Sequence, residues 1–480
     1  MKAILEPATL ADAVSLRFSL LITALAALSW SGPALSATPQ QLTIAASDGV
    51  QLACSLVEPD GAAPAGGWPA VMLFHGMGNR HQDEEPVAVQ YLAPAGYASL
   101  MCDARGHGTS GGSFGLDGPR DVQDTRELYT WLTARPEISD TQIGAYGVSL
   151  GGGAVWNAAV GGVPFKAIVP VITWTNLTTS LTTQGLSKSG LVQYLTALVP
   201  QSRWDPDLLT ALPPLTTSSN LSIATALAGV RSPVSKLGTV TTPTLLIQGR
   251  HDFLFDIDQT LVAYNAVKGP KRLYLGDLGH SPAPNPGAEA PTYYKEMVNW
   301  FDHFVRGVPN GVEGQRKVVL AHDPWDGTTT SYAALPPTKT VSLALPGTTT
   351  MSGATGKVQR GVRFTGGPHE TFGDSTVTVA YSGAQGWDRL VAVLAVAGND
   401  TPITAGGIKL SAASGTATIK LMNEAVRIPA GKRLMVTLGS TSLGQSPANA
   451  LYLAAVQPGA QITIGRATLR LSVLTKAVSR

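Results

Sequence analysis

Short apolar segments alternate with amphipathic segments through the first two thirds of the chain. The apolar segments predict strands at 41–46, 50–57, 69–76, 97–106, 141–147, 166–174, 243–249 and 271–276. The later segments are continuous apolar runs, which is typical of parallel strands covered on both faces. Amphipathic spacing predicts helices at 85–92, at 119–134 and around Met297–Phe304. This alternation predicts a parallel sheet wrapped by helices, with functional groups at the carboxyl ends of the strands.

The pattern changes after Pro309-Asn310-Gly311. Residues 315–480 are rich in Thr, Val and Gly, and apolar and polar positions alternate in runs such as 376–381, 433–439 and 467–474. No convincing long helix interrupts these runs. The second part of the chain therefore predicts an all-β sandwich, so the sequence divides into an α/β unit at 40–307 and a β unit at 315–480.

The segment 144–153, GAYGVSLGGG, places a serine between glycines, directly after a predicted strand and before a helix-like run at 150–160. This is the context in which G-x-S-x-G forms a nucleophile elbow, a tight turn that projects the serine hydroxyl from the sheet. Side chains at Gly147 and Gly151 would collide with neighbouring backbone in such a turn. Ser149 is therefore the candidate nucleophile.

A serine nucleophile needs a base to take its proton and an acid to orient that base. In a sheet of this kind the expected chain order is serine, acid, histidine. Asp252 follows the strand 243–249, and His280 follows the strand 271–276. Other acids and histidines are less well placed, namely Asp256, Asp258, Asp277, His107, His251, His303, His322 and His369. The sequence predicts a Ser149–His280–Asp252 triad.

Acyl transfer also requires donors that stabilise the oxyanion. One expected donor is the backbone N–H of Leu150, directly after the serine. The second is the N–H of Met77, in the loop His75-Gly76-Met77-Gly78 that follows the strand 69–76. We expect His75 to brace this loop rather than to carry a proton.

These motifs make residues 40–307 resemble the alpha/beta-hydrolase superfamily across the whole unit. The resemblance implies a cap inserted at 175–240, between the strand 166–174 and the strand that precedes the acid. Helical spacing in this segment agrees with a helical cap. Trp174 and Asn176, at the strand end that faces the cap, are candidate substrate-binding residues.

The second unit resembles the jelly-roll domain that follows the hydrolase domain in X-prolyl dipeptidyl-peptidases and cocaine-esterase-type enzymes. The resemblance lies in VVLAHDPWDG at 318–327, in Pro336-Pro337 and in RIPAGKRLMVTL at 427–438. That group usually has an aromatic residue after the nucleophile and a tyrosine hydroxyl in the oxyanion hole. Here Leu150 and Met77 take those places.

Three functions compete. The leading one is a serine hydrolase that cleaves carboxylic esters, because its predicted triad and oxyanion donors are complete. The second is an exopeptidase acting on short peptides, which the two-domain resemblance implies. It would need carboxylates to bind a substrate ammonium, and the acids Asp83-Glu84-Glu85 instead precede Pro86 as helix-capping residues would. The third, a non-catalytic carbohydrate-binding protein, would more often have lost part of the triad.

Composition narrows the location and the partners. The net charge of +2 gives no basic footprint for nucleic acid, and charged residues are only 14% of the chain. A 13-residue apolar run at 18–30 follows Arg17 and precedes the small-x-small sequence Ala34-Leu35-Ser36. We expect residues 1–36 to be a signal peptide, the mature protein to be secreted or periplasmic, and no membrane span to remain after cleavage. The oligomeric state is left open.

The chain has two cysteines, Cys54 and Cys102. Their spacing matches no zinc motif, and we expect neither a metal nor a cofactor. In the alpha/beta-hydrolase arrangement the two residues lie on neighbouring antiparallel strands of unknown register. A disulfide and a pair of buried thiols therefore both remain open.

Overall fold

A computed structural model describes residues 37–280, 283–354, 356–398, 401–442 and 451–478. A ten-stranded sheet forms the centre of the first part, in the order β1-β2-β4-β3-β5-β6-β9-β10-β11-β12. Its strands are β1 Gln40–Ala45, β2 Gln51–Val57, β3 Trp68–Phe74, β4 Ala98–Cys102, β5 Ile138–Val148, β6 Ala167–Val171, β9 Thr244–Gly249, β10 Lys271–Gly276, β11 Val318–Ala321 and β12 Thr329–Tyr332. The inner strands from β4 to β11 are parallel, as their continuous apolar runs predict.

Helices cover both faces of this sheet. The helices outside the cap are Pro119–Thr133, Leu150–Val160, Ile257–Ala266 and Ala290–Phe304. The predicted helix at 85–92 is instead a series of short turns of different helical type, namely His81–Glu84, Glu85–Val87, Ala88–Leu92 and Ala93–Ala95. Pro86 and Pro94 lie within these turns, and a proline cannot donate the N–H that a continuous helix requires.

Between β6 and β9 the chain forms a mostly helical cap, in the segment predicted at 175–240. Its elements are the helices Leu177–Leu181, Ser189–Thr196, Pro206–Thr217 and Ser222–Gly229, together with a hairpin of β7 Thr182–Thr183 and β8 Leu186–Ser187. The helix Ser189–Thr196 buries Leu191 and Val192, whereas Tyr194 is 37% exposed. No helix in the described ranges is long and apolar enough to cross a membrane.

The last part of the chain is an antiparallel β-sandwich. One sheet contains β13 Thr338–Leu345, β14 Thr349–Ser352, β17 Ser375–Gln385, β20 Gly415–Leu421 and β23 Gln461–Leu474. The other contains β15 Lys357–Arg363, β18 Arg389–Val396, β19 Thr401–Lys409 and β22 Arg433–Gly439, and a small pair joins β16 His369–Glu370 to β21 Arg427–Ile428. Strand β20 illustrates why the sandwich forms: Ala417, Ile419 and Leu421 are buried while the residues between them are exposed.

The predicted start of the β unit at residue 315 is wrong, because two more strands of the central sheet lie beyond it. Strand β11 adds to the central sheet beside β10 in parallel, and β12 then pairs with β11. The sandwich strands therefore begin at Thr338 rather than at 315. The sequence 318–321 is a buried apolar run, which fits a sheet covered on both faces better than the alternating pattern of the sandwich.

Cys54 and Cys102 lie directly opposite each other on the antiparallel strands β2 and β4 and are joined by a disulfide. The register that the sequence left open is therefore the one that brings both side chains to the same face. The bridge closes a loop of 48 sequence positions. It ties the antiparallel edge of the sheet to its parallel centre.

We expect loss of this disulfide to destabilise the folded protein. Replacing both cysteines by alanine removes the covalent limit on the unfolded chain and should lower the free energy of unfolding by roughly 2 to 4 kcal/mol. Urea unfolding of the oxidised wild type and the double variant measures this difference. Two alkylatable thiols in the native, non-reduced wild type after denaturation would contradict the bridge.

Candidate active site

Ser149 occupies a strained turn between β5 and the helix Leu150–Val160. Its backbone dihedral φ is 56° and ψ is −114°, which a residue with a side chain rarely adopts. The turn is held on both sides: the N–H of Ser149 donates to the carbonyl of Val171 at 2.9 Å, and its carbonyl accepts from the Thr173 hydroxyl at 2.7 Å. Strain of this kind persists only where the surroundings over-determine it, and it is typical of functional sites.

Two glycines make the turn sterically feasible. A Cβ atom on Gly151 would lie 1.9 Å from the carbonyl oxygen of Phe74, at the end of β3. A Cβ atom on Gly147 would lie 2.2 Å from the carbonyl oxygen of Gly151. Both contacts are with backbone, so neither can be relieved by a side-chain movement. Side chains at Gly147 and Gly151 would therefore collide with backbone in this structure, as the sequence predicts.

Ser149, His280 and Asp252 meet at the carboxyl ends of β5, β10 and β9. The His280 Nε2 atom lies 2.7 Å from the Ser149 Oγ atom. The His280 Nδ1 atom lies 3.0 and 2.9 Å from the two carboxylate oxygens of Asp252. Because a carboxylate only accepts, Nδ1 carries the proton, and the lone pair of Nε2 faces the serine hydroxyl. This is the arrangement that the sequence predicts.

Asp252 is fixed by its own loop. Its side chain is fully buried, and its Oδ1 atom accepts hydrogen bonds from the N–H groups of Leu254 and Phe255, each at 3.0 Å. His280 is 16% exposed, so solvent or a substrate can reach the imidazole. The loop that carries the acid therefore sets its orientation before any ligand binds.

The competing acids face other partners. Asp256 and Asp258 accept from the backbone and side-chain amides of Asn423, at 3.1 and 2.9 Å. Asp277 accepts from the N–H of Trp325 at 2.8 Å, and His251 points toward Asp277 rather than toward the serine.

The competing histidines also have local roles. His107 is buried beside the rings of His75 and Phe114. His303, His322 and His369 contact the carbonyl of Val308, the carboxylate of Asp326 and the ring of Phe364.

The two predicted oxyanion donors flank the serine. Leu150 begins the helix after it, and the position of a Cβ atom on Gly76, the neighbour of Met77, is 3.8 Å from the Ser149 Cβ atom. Among the residues that the structure describes, the N–H groups of Met77 and Leu150 donate no hydrogen bond. Both donors therefore remain available to a ligand oxygen.

His75 braces the loop that carries Met77. Its Nε2 atom accepts from the N–H of Ala104 at 2.9 Å, so its Nδ1 atom is the donor to the carbonyl of Gly76 at 2.7 Å. Burial lowers the pKa of His75 below its usual value and keeps the ring neutral. These contacts agree with the bracing role expected from the sequence.

The two predicted substrate-binding residues have protein partners. Trp174 is 2% exposed, and its indole N–H donates to the carbonyl of Arg231 at 2.9 Å. Asn176 caps the helix Leu177–Leu181 by accepting from the N–H of Thr179. Sequence reasoning instead missed Phe255, whose ring lies 5.3 Å from the rings of both Trp174 and His280. The sequence signal for Phe255 was its position three residues after Asp252.

Apolar side chains from three parts of the fold surround the site. One hydrophobic cluster joins Leu150 and Phe255 of the α/β unit to side chains of the cap and of the sandwich. The contributors from the cap and the sandwich include Leu177, Leu181, Leu186, Leu191, Val391, Val393, Met422 and Tyr452. The sandwich therefore contributes side chains to the surroundings of the site.

Two buried charged side chains near Asp252 had no sequence signal. Glu424 of the sandwich and Lys188 of the cap are each 2% exposed. Burial is the largest cause that raises the pKa of Glu424 far above its usual value, and the carboxylates of Asp256 and Asp252 add to it. Burial lowers the pKa of Lys188. Burial therefore disfavours the charged form of Glu424 beside the loop of Asp252.

The three acidic side chains at 83–85 either accept hydrogen bonds from other residues of the protein or are buried. The Asp83 carboxylate accepts from the backbone N–H of Arg80 at 2.8 Å and so caps the start of the turn His81–Glu84. Glu85 accepts from the hydroxyl of Ser55 at 2.6 Å and from the amide of Gln41 at 2.8 Å. Burial raises the pKa of Glu84 to about 8. These contacts agree with the capping interpretation.

We expect Gly151→Ala to disrupt the turn, because the added methyl group overlaps the Phe74 carbonyl. Overpacking of this kind should cost about 1 to 3 kcal/mol of the free energy of unfolding and displace Ser149. Gly229→Ala, in a cap helix with nothing within 4 Å of the new Cβ atom, is the matched control and should be tolerated. Urea unfolding together with an activity assay measures both effects, and equal behaviour of the two variants would contradict this interpretation.

Parts of the chain are similar to known proteins. A family model described as X-Pro dipeptidyl-peptidase (S15 family) matches residues 48–282. The acyltransferase drtE of Aspergillus calidoustus is 24% identical over 242 residues, which are 43% of this chain and 77% of that protein.

Solved structures share the fold across both parts of the chain. A CocE/NonD family hydrolase from Staphylococcus aureus superposes with a TM-score of 0.67 at 13% identity and covers 90% of this chain and 93% of its own. An alpha-amino acid ester hydrolase superposes with a TM-score of 0.66 at 14% identity and covers 91% of this chain and 96% of its own. The chain therefore shares the alpha/beta-hydrolase fold and the C-terminal β-sandwich of these solved hydrolases, and residues 48–282 are similar to the S15 family.

Proposed function

We propose that this hydrolase cleaves carboxylic esters through a covalent acyl-enzyme on Ser149. The observation that carries the proposal is the pair of contacts made by one imidazole. His280 Nε2 lies 2.7 Å from the Ser149 hydroxyl, and His280 Nδ1 contacts the buried carboxylate of Asp252. Such an arrangement supplies a nucleophile, a general base and the group that orients the base.

The reaction follows from these positions. Ser149 Oγ attacks the ester carbonyl carbon while His280 Nε2 takes the hydroxyl proton. The N–H groups of Leu150 and Met77 stabilise the negative charge on the carbonyl oxygen. The tetrahedral intermediate collapses, the proton on His280 passes to the leaving alcohol, and an ester to Ser149 remains. Water, deprotonated by His280, then attacks this ester and releases the carboxylic acid and the free serine.

The surroundings favour an ester over a peptide with a free amino terminus. A substrate ammonium requires an accessible carboxylate, yet Asp83 and Glu85 are occupied by protein donors and Glu84 is buried. The three residues after the acid, Phe253, Leu254 and Phe255, are all buried hydrophobic side chains. An apolar acyl group therefore suits this environment better than a charged one. The second candidate is an exopeptidase, which the match to the S15 family favours.

We expect Ser149→Ala to lower kcat by roughly 10^4 to 10^6 fold, and Asp252→Asn by roughly 10^4 fold, because these changes remove the nucleophile and the group that orients the base. Asp258→Asn, in the first turn of the helix that follows this loop and bonded to Asn423 and Lys420, should keep most of the activity. Steady-state assays on a p-nitrophenyl ester give these values. The assignment fails if Ser149→Ala is active, and the acid is misidentified if Asp258→Asn is the more damaging change.

A substrate panel separates the two candidate activities. Acyl p-nitrophenyl esters of increasing chain length and Xaa-Pro p-nitroanilides are assayed with the same preparation, with Ser149→Ala as the blank. We expect kcat/KM for the best ester to exceed that for the best anilide by at least roughly 100-fold, because the anilide's ammonium lacks a partner. A preference for the anilides would establish the exopeptidase instead.

We further propose that the protein is exported. The apolar run at 18–30 and the small residues Ala34-Leu35-Ser36 support export, although residues 1–36 lie outside the described part of the chain. The disulfide between Cys54 and Cys102 also favours an oxidising compartment. Amino-terminal sequencing of the protein from the native host's extracytoplasmic fraction should begin at Ala37 or Thr38. An uncut chain found only in the cytosol would contradict export.

A further inference from the structure

Three side chains with metal-binding chemistry meet at one edge of the central sheet, beside the loop of Asp252. His251 follows β9, Asp277 follows β10 and Asp323 follows β11. These strands are adjacent and parallel, with Gly276 opposite Gly249 and Leu275 opposite Leu320. Because the strands end at the same level, three residues that are far apart in sequence converge.

The distances between the three groups match those around a small cation. The His251 Nε2 atom lies 3.2 Å from the Asp277 Oδ1 atom and 3.4 Å from the Asp323 Oδ2 atom. One ligand atom from each residue lies within 4.8 Å of the other two. Zinc binds nitrogen and oxygen at about 2.0 to 2.2 Å, which separates tetrahedral ligands by about 3.4 Å.

Two of the three facing atoms, those of His251 and Asp277, are not used by hydrogen bonds among the described residues. Although His251 Nε2 and Asp277 Oδ1 are close, they are not aligned as donor and acceptor, and neither atom has another hydrogen-bond partner among the described residues. Asp277 is 1% exposed and is held from its other oxygen by the N–H of Trp325. Asp323 is oriented by the N–H of Arg427 at 2.8 Å. The cluster is therefore rigid, and it directs an unsatisfied carboxylate oxygen inward.

The negative charge of the cluster also favours a bound cation. Two carboxylates beside one imidazole leave at least one net negative charge in a nearly dry site, whether or not the ring is protonated, and this is unfavourable unless it is compensated. The neighbouring guanidinium of Arg250 is already paired with Glu370 at 2.9 Å and donates to the carbonyls of Ala425 and Ala321. A divalent ion balances the two carboxylates fully.

We propose that His251, Asp277 and Asp323 bind one divalent metal ion of the Zn²⁺ type, with a fourth position open to water. One imidazole and two carboxylates suit zinc, whereas calcium requires six to eight oxygen ligands. His251 and Asp323 are each 13% exposed, which gives the ion a path from solvent. The ion lies outside the ester-cleaving chemistry, and it fixes the segment from which Asp252 projects.

Isothermal titration of the EDTA-treated, full-length protein with ZnCl₂ tests the site. The wild type should bind one Zn²⁺ per chain, and His251→Ala and Asp323→Asn should each weaken this binding by at least roughly 100-fold. The control is His303→Ala, whose imidazole is paired with a single carboxylate, that of Glu313, at 3.2 Å. It should bind like the wild type. Calcium chloride should give no saturable binding.

Anomalous diffraction at the zinc edge from wild-type crystals grown with Zn²⁺ keeps the test independent of variant folding. A peak about 2.0 to 2.2 Å from the His251 nitrogen and from both carboxylates is expected. No saturable Zn²⁺ binding by the wild type, undiminished binding by His251→Ala, or a peak only elsewhere would each overturn the proposal. The cluster would then be a histidine held between two carboxylates.

Discussion

The close approach of two stretches of backbone at the end of β3 and β5 is the constraint on which the site depends. Gly151 packs so tightly on the Phe74 carbonyl that a Cβ atom would lie 1.9 Å from it. This contact forces the turn that places Ser149 at φ 56° and directs its hydroxyl toward His280. It also brings the loop of Met77, which follows β3, alongside the serine. The positions of the candidate nucleophile and of the candidate oxyanion donors therefore have one steric cause.

The acid side of the site depends on the sandwich. Its segment 422–426 lies against the loop that follows β9: the N–H of Ile257 donates to the carbonyl of Asn423 at 3.0 Å, and the N–H of Ala425 donates to the carbonyl of Arg250 at 2.9 Å. The fully buried ion pair of Arg250 and Glu370 joins the same two regions. Removing one partner of such a pair is strongly destabilising, so the sandwich is a structural support of Asp252.

Much of this arrangement could be predicted because it depends on local patterns. Continuous apolar runs placed the parallel strands, and the order of Ser149, Asp252 and His280 along those strands placed the three side chains that meet. The rest depends on tertiary contacts that no local pattern records. Glu424 comes from another domain, and the segment 318–332 joins the central sheet although it follows the linker that looked like a domain boundary. The cluster of His251 with Asp277 and Asp323 likewise forms only where three strand ends converge.

The central claim is that Ser149 is an activated nucleophile in the folded protein. Treatment with a fluorophosphonate, followed by proteolysis and tandem mass spectrometry, measures this directly because the probe reacts with serine only when a base removes its proton. The account predicts one adduct per chain, on the peptide that contains Ser149, and no adduct after heat denaturation. An unlabelled native protein, or an adduct on a different serine, would contradict it.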